Sequence, residues 1–307
     1  MVFLVDNSIW AIVVVFNPNI SKLNQLTESL IAQKCNVVLV NNGDAKSIVG
    51  VVNSENAFVI QMPENSGIAK AQNEGISFIR KKGASGFFLF DQDSVIPVNY
   101  VDAMLSFRFT PNIGMIVPKV LDVNIQRFIE PRIYYKKKNN THIDYPKKNL
   151  DNEKFRKAAK PIASGCFILM HAVESVGGMR EDFFIDAVDT DFSFRLIENK
   201  FDVFQINSIT LKHMVGNKTG KSIFGISVNV SNHSPKRRYY IGRNNIWLWK
   251  IHHKQMKGIS KDILITLGSQ LAYSAIESNR IEKVFNMLFG ISVGIFTKPK
   301  LEIQETD

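Results

Sequence analysis

Cysteine is scarce: the 307 residues hold two, Cys35 and Cys166. Each lies inside an apolar stretch, and neither belongs to a pair spaced for metal or redox chemistry. That excludes a disulfide-built secreted scaffold and a zinc module, and leaves two reduced core thiols in a cytosolic protein as the expectation. Long apolar runs are missing as well. The longest near the C-terminus, "MLFGISVGIF" (287–296), falls well short of the ~20 residues a spanning helix needs. The opening "MVFLVDNSIWAIVVVF" is broken by Asp6 and Asn7 and is followed by no basic region or small-residue cleavage site, so it reads as a strand, not a signal peptide. No GxxxxGK[ST] loop, no GxGxxG after the first strand and no nucleophile elbow occur. These absences argue against a P-loop NTPase, a dinucleotide-dependent redox enzyme and an α/β hydrolase.

What is present begins with a large apolar fraction and an uneven charge. Hydrophobic residues make up 45%, enough for one large domain with an appendage, or for two domains. The formal net charge is +10, yet the first hundred residues are nearly balanced. Lys and Arg gather at 132–160 and 212–261, which points to an anionic partner: a phosphorylated substrate, nucleic acid or an acidic membrane surface.

The first half alternates between strand and helix signals. "IWAIVVVF" (9–16), "NVVLVN" (36–41), "AFVIQ" (57–61) and "GFFLF" (86–90) are continuous runs of the kind buried on both faces. Between them, Leu23, Leu26, Leu30 and Ile31 recur at helical spacing after a candidate cap at Ser21, and Ile68, Ala71, Gly75 and Ile79 share one face over 66–82. This pattern predicts a mostly parallel sheet with right-handed crossovers and helices on both sides. Residues 132–160, rich in Lys and Asn, read as an excursion from the core. "ASGCFILMH" (163–171) returns to strand character. From Ser234 onward the chain is basic, aromatic and helical, which divides it into a first domain, 1–235, and a C-terminal helical region, 236–307.

In open α/β sheets ligands collect beyond the carboxyl ends of the strands. Pro18, Asn41-Asn42-Gly43, Glu64-Asn65 and Asp91-Gln92-Asp93 all fall there. Asp91-x-Asp93 places two carboxylates at the end of a buried strand, where mutual repulsion and desolvation call for a cation. A hard divalent ion, Mg²⁺ or Mn²⁺, bridging to a diphosphate meets that need; the plainer reading is a turn in which Asp93 or Ser94 caps a following helix. "FFIDAVDTDFSFRL" (183–196) carries Asp186, Asp189 and Asp191 in six positions. Asp191 and Arg195 have the spacing of a helical ion pair, whereas Asp189 is suited to take a proton from an acceptor hydroxyl. His213, between a strand over 202–211 and a Gly-containing turn, is either a satisfied polar residue or a third metal ligand. "SPKRRYYIGRNN" (234–245) sets Lys236, Arg237, Arg238 and Arg243 around two tyrosines, and Arg238 and Arg243 are the candidates for clamping phosphates. Nucleic-acid binding and a snorkelling membrane-surface helix fit the same segment. The run 284–297, between Lys283 and Lys298, suits a membrane surface, core packing or a homo-oligomer contact through the C-terminal region.

Taken together, the ordered pieces "VVVFNP" (13–18), "VNNGD" (40–44), "ENSGIAKAQNEGI" (64–76), "FLFDQDS" (88–94), "ASGCFIL" (163–169), "FFIDAVDTDFSFR" (183–195), "HMVG" (213–216) and "RRYYIGRNN" (237–245) resemble the family 2 glycosyltransferases of GT-A fold, and among them the bacterial rhamnosyltransferases. The resemblance spans roughly residues 9–245. It implies a Rossmann-like nucleotide-diphospho-sugar transferase domain and an inverting, single-displacement transfer. Phe16, Asn17, Pro18 and Asn41 would line the base pocket, and Asn65, Gly67 and Lys70 would lie near ribose and diphosphate. Asp91 and Asp93 would hold metal and nucleotide, with His213 completing the shell. Asp189 would be the base, and Asp186 and Asp191 would stand beside it on the acceptor side. Two departures stand out: Asn41 occupies a position often held by Asp, and Val188 precedes Asp189 where an acid is usual. The implied donor is dTDP-L-rhamnose and the implied acceptor a polysaccharide or lipid-linked oligosaccharide at the cytoplasmic membrane face, with no nucleic-acid partner. A sugar-phosphate nucleotidyltransferase would carry a Gly-rich basic loop where this chain has "NPNIS". A non-enzymatic nucleic-acid or membrane-surface binder would have no use for Asp91 or Asp189.

Overall fold

The computed structural model describes residues 9–51, 53–138, 140–146, 153–213, 219–223 and 226–300. The turn expected after His213 and the first eight residues lie outside this set. The strands are β1 (Ile9–Val15), β2 (Cys35–Asn41), β3 (Ala57–Gln61), β4 (Gly86–Asp91), β5 (Ile113–Asp122), β6 (Arg127–Ile129), β7 (Ile133–Lys137), β8 (Asn140–Asp144), β9 (Phe155–Lys157), β10 (Phe167–Leu169), β11 (Asp202–His213), β12 (Thr219–Ile223), β13 (Ile226–Val230) and β14 (Met256–Lys257). The helices are α1 (Ile20–Ala32), α2 (Ile68–Lys81), α3 (Tyr100–Leu105), α4 (Met170–Val176), α5 (Val188–Glu198), α6 (Pro235–His252), α7 (Ile259–Ile276) and α8 (Arg280–Phe296).

The main sheet runs β3-β2-β1-β4-β10-β5-β11-β9, with β6 paired to β5. Its first four strands are parallel, as their continuous apolar runs predict. The antiparallel β10 then wedges between β4 and β5, bringing the segment before it, residues 162–164, to the rim of β4. The strand expected over 163–171 is only three residues long, because Met170 already opens α4.

Local chemistry accounts for the element ends. The α1 cap is Asn19, whose side chain accepts from the Lys22 amide at 3.1 Å, and not Ser21, which lies inside the helix. In α2, Gly75 lets the helix press on β1: a Cβ there would stand 2.6 Å from Ile12 Cγ2. No helix follows the Asp91–Asp93 turn directly, since α3 starts at Tyr100. The described part of 132–160 is not a mere excursion from the core. Tyr134 and Ile143 point inward from a β7–β8 hairpin while its lysines face water, and β14 joins it as a third strand.

Ser234 caps α6 and Pro235 opens it. It does not begin a separate core. Trp247, Leu248, Met256, Ile259 and Ile263 belong to the same buried cluster as Ile12 and Leu89 of the sheet. α8 lies against α6 along a seam of glycines, where a Cβ at Gly290 would meet the Tyr239 carbonyl oxygen at 2.1 Å.

Candidate active site

The carboxyl ends of β1, β2 and β4 open into a cleft of about 620 Å³. Phe16, Asn42, Asn65, Gly67, Asp91, Gln92, Asp93, Ser164, Phe184, Asp186, Asp189, His213 and Arg237 all line it.

One wall is the β4 turn. Gln92, between the two aspartates, ties it to the end of β1: the Phe16 amide donates to Gln92 Oε1 at 2.7 Å, and Gln92 Nε2 donates to the Phe16 carbonyl at 3.1 Å. Ser164 accepts from the Asp91 amide at 3.1 Å. Asp91 Oδ2 stands 3.2 Å from His213 Nε2. Burial opposes the imidazolium of His213, but its hydrogen bond to Asp91 and the charges of Asp91, Asp93 and Asp122 outweigh this and raise its pKa. Its Nδ1 is buried with no hydrogen-bond partner among the described residues.

A second wall is built from Asn42, Asn65 and Gly67. Asn42 donates to Asn65 Oδ1 at 3.2 Å and accepts from the Ser66 amide at 2.9 Å. Gly67 has φ +87, and a Cβ there would lie 2.6 Å from Phe184. The position therefore needs glycine for conformation and for space.

The third wall is the segment 183–189, and its backbone is strained. Phe184, Asp186 and Ala187 all have positive φ, at 62, 64 and 65, a region costly for side chains other than glycine. α6 holds them there. Asn244 Nδ2 donates to the carbonyls of Phe183, Ile185 and Asp186 at 2.9, 2.7 and 2.9 Å. Arg237 grips Asp186 through two 3.0 Å contacts, Nε to Oδ2 and Nη2 to Oδ1. Asp189 follows in the first turn of α5, half-buried, with its Oδ1 accepting from the Thr190 amide at 2.8 Å. Burial first, and then the charges of Asp186 and Asp91, push the Asp189 carboxyl up to about 6 against the opposing Thr190 amide and Lys160. The positive charge that the acidic rim demands comes from Arg237, whose pKa is raised, despite burial, by Asp186, Asp91 and Asp189.

Several expected site residues lie elsewhere. Asn41 is fully buried and holds the β2 turn, donating to Asp44 O and Gln61 Oε1 at 2.9 and 2.8 Å, while its neighbour Asn42 faces the cleft. Asn17, Pro18 and Lys70 are outside the lining, in which Phe16 represents the β1 turn. Asp191 does not join Asp186 and Asp189. Two residues on from Asp189, it sits about 200° around the helix, fully buried between Arg180, Arg195 and His252 at 3.3, 2.9 and 3.1 Å. Its i+4 arginine was the available signal. Arg238 points into the helical region and pairs with Glu277 at 2.7 Å, and Arg243 covers the Trp247 ring and donates to the Asp182 carbonyl. Among the four cations of 234–245 it is Arg237 that turns to the cleft. Gln92, Ser164 and Asn244 lie inside quoted sequence pieces but are given no role there, and what they do emerges only from the fold.

Comparison with known proteins accords with this geometry. The model of the family described as "Glycosyl transferase family 2" matches residues 10–176, more than half of the chain. The chain belongs to this family. The glycosyltransferase is 31% identical over 290 residues to the dTDP-rhamnosyl transferase RfbF of Shigella flexneri, a match covering 90% of this chain and 92% of that protein. Among solved structures, GalNAc-T7 with UDP, GalNAc and Mn²⁺ aligns with a TM-score of 0.57 at 11% identity, over 94% of this chain and 56% of the other. TarS of S. aureus aligns with a TM-score of 0.53 at 12% identity, over 93% and 55%. The transferase thus spans little more than half the length of either, and at these identities the likeness shows the shared GT-A fold.

Proposed function

We propose that this glycosyltransferase moves L-rhamnose, with inversion, from dTDP-L-rhamnose to a saccharide or lipid-linked saccharide acceptor in cell-surface polysaccharide synthesis. The donor assignment is supported by the full-length similarity to RfbF. The observation that carries the mechanism is the meeting of Asp91, Asp93 and Asp189 in one cleft, with the Asp189 pKa raised toward neutrality.

The donor set on the β4 wall fits a divalent cation. Two carboxylates and the imidazole of His213, whose Nε2 stands 3.2 Å from Asp91 Oδ2, line the same space, and oxygen-rich sites of this kind suit Mg²⁺ or Mn²⁺. Among the described residues no three His, Cys, Asp or Glu side chains form a ready metal-holding group, so Asp91, Asp93 and His213 would supply part of a coordination sphere and leave the remainder to water and donor phosphates. A bound ion would neutralise charge developing on the nucleotide leaving group. The protein's own part is clearer. Asp189 accepts the proton of the acceptor hydroxyl, whose oxygen attacks the anomeric carbon. The bond from that carbon to the β-phosphate oxygen breaks, its electron pair leaves with the nucleotide, and Arg237 faces the resulting negative charge. Phe16, Asn42, Asn65 and Gly67 shape the nucleotide side of the cleft.

The test is a donor screen in which release of free nucleotide is measured for a panel of nucleotide sugars. dTDP-L-rhamnose should be consumed fastest, and chelation of divalent ions should weaken dTDP binding in calorimetry. Faster consumption of another donor would overturn the rhamnose assignment, and chelator-insensitive binding would overturn the metal site.

A further inference from the structure

α8 has two unlike faces. One carries Gly290 and Gly294 and packs on α6. The other leaves Ile281, Phe285, Leu288, Phe289, Ile295 and Phe296 in water, with Ile281, Phe285 and Phe296 exposed by 82%, 66% and 84%. Their separations of three, four and seven residues keep them on one side of the helix, a stripe in two groups on either side of Ser292. Apolar surface of this extent marks an interaction site.

The surrounding charge says what covers it. Residues 235–307 contain twelve Lys and Arg against six acids, three of which, Glu302, Glu305 and Asp307, follow Lys300. Of those acids, Asp262 and Glu277 are buried against Arg132, Lys160, Arg238 and Lys283. Among the described residues of this region Glu282 is the exposed carboxylate, against the exposed cations Lys254, Lys257, Lys261, Arg280, Lys298 and Lys300. Arg280 opens the helix beside Glu282, and Lys298 and Lys300 follow it, so the described surface flanking the stripe is cationic on balance. A second copy of the chain would bring these like charges together, whereas an anionic lipid surface would receive apolar and basic groups at once. No helix among the described residues is long and apolar enough to cross a membrane, so the contact would lie in the interface.

The stripe is also connected to the cleft. Phe285 stacks on Phe289, Phe289 approaches Tyr239 at 5.7 Å, Tyr239 meets Tyr240 at 5.3 Å, and Tyr240 stacks at 4.9 Å on Phe184, which lines the cleft. We propose that the exposed face of α8 seats this protein on an anionic bilayer, and that Tyr239, Tyr240 and Phe184 form an aromatic path from that bilayer to the acceptor side of the cleft. The seating stands on the surface alone; the meaning of the path rests on the transfer reaction proposed above.

Flotation of the full chain with phosphatidylglycerol-containing vesicles, against pure phosphatidylcholine vesicles, tests the seating. The expected result is binding to the first and little to the second, weakened by salt. The double substitution Phe285→Ser and Phe296→Ser, at positions outside the packed seam, should lower partitioning roughly tenfold or more while dTDP binding without lipid stays unchanged. Absence of anionic-vesicle binding, or equal binding by the variant, would overturn the proposal. So would a concentration-dependent dimer in sedimentation that the same substitutions dissolve. If dTDP fails to bind the wild-type chain while flotation behaves as expected, the proposed reaction falls and the membrane seat stands.

Discussion

At the scale of single residues, Asp189 carries the heaviest demand. In the proposed reaction its ionised form is the base, and its pKa of about 6 places half-ionisation at that pH in the unliganded protein. Turnover at low substrate should therefore rise with pH through about 6 and level off above it, since kcat/KM reports the free enzyme. Asp189→Asn should lower turnover roughly a hundred- to ten-thousandfold with dTDP affinity retained. The stability sign runs the other way. A carboxyl held above its unfolded value of 3.8 contributes stability when protonated and loses that contribution as pH rises through about 6, so the neutral variant should be at least as stable as the parent above that pH. A flat pH profile, or a variant with normal turnover, would remove Asp189 from the base role. Part of this was legible in advance: Asp91, Asp93 and Asp189 stand out in the sequence because each is a carboxylate in an apolar frame. The difference between Arg237 and Arg238 was not. Adjacent helical residues point about 100° apart, and only the packing of α6 decides which faces the cleft and which is buried against Glu277.

At the scale of elements, the segment 183–189 and helix α6 act as one device. Three left-handed residues without the freedom of glycine are stable only if something holds them, and Asn244 does so through three carbonyls. Asn244→Ala should destabilise the fold by about 1–3 kcal/mol, the cost of leaving buried carbonyls unsatisfied. Amides of residues 184–188 should then exchange with solvent faster while those of β1 and β4 do not. Uniform exchange across both regions would mean that the clamp is not local. The strand–helix alternation of the first half could be read directly because buried parallel strands are apolar without interruption. The β7–β8 hairpin could not, because its outward lysines dilute the inward Tyr134 and Ile143 and imitate a loop. The strain at 184–187 was hidden too, since nothing in "FIDA" signals positive φ.

At the scale of the whole molecule, the helical region is bound to the sheet domain by buried charge as well as apolar packing. His252 of α6 stands between Asp191 and Glu198 of α5, with Nε2 3.1 Å from one and Nδ1 2.8 Å from the other. Arg180 and Arg195 close the cluster around Asp191. Burial disfavours a charged His252, but its hydrogen bonds to Asp191 and Glu198 and their charges prevail and raise its pKa above 6.5. The imidazolium gains its partners only in the folded state. Its contribution is fully present below the unfolded value of 6.5 and is lost as pH rises through the raised folded value. Asp191 behaves oppositely: although burial opposes its charge, Arg195, His252 and Arg180 hold it well below the usual carboxylate range, so its contribution fails only in acid. The difference in unfolding free energy from urea titrations between the parent and His252→Gln should therefore be largest below pH 6.5 and shrink toward alkaline pH. Its maximum should be about 1–3 kcal/mol, because Asp191 keeps two arginines when the histidine is gone. A difference that instead grew with pH would show that His252 is neutral in the fold, and that the junction between the sheet domain and α6 depends on packing alone.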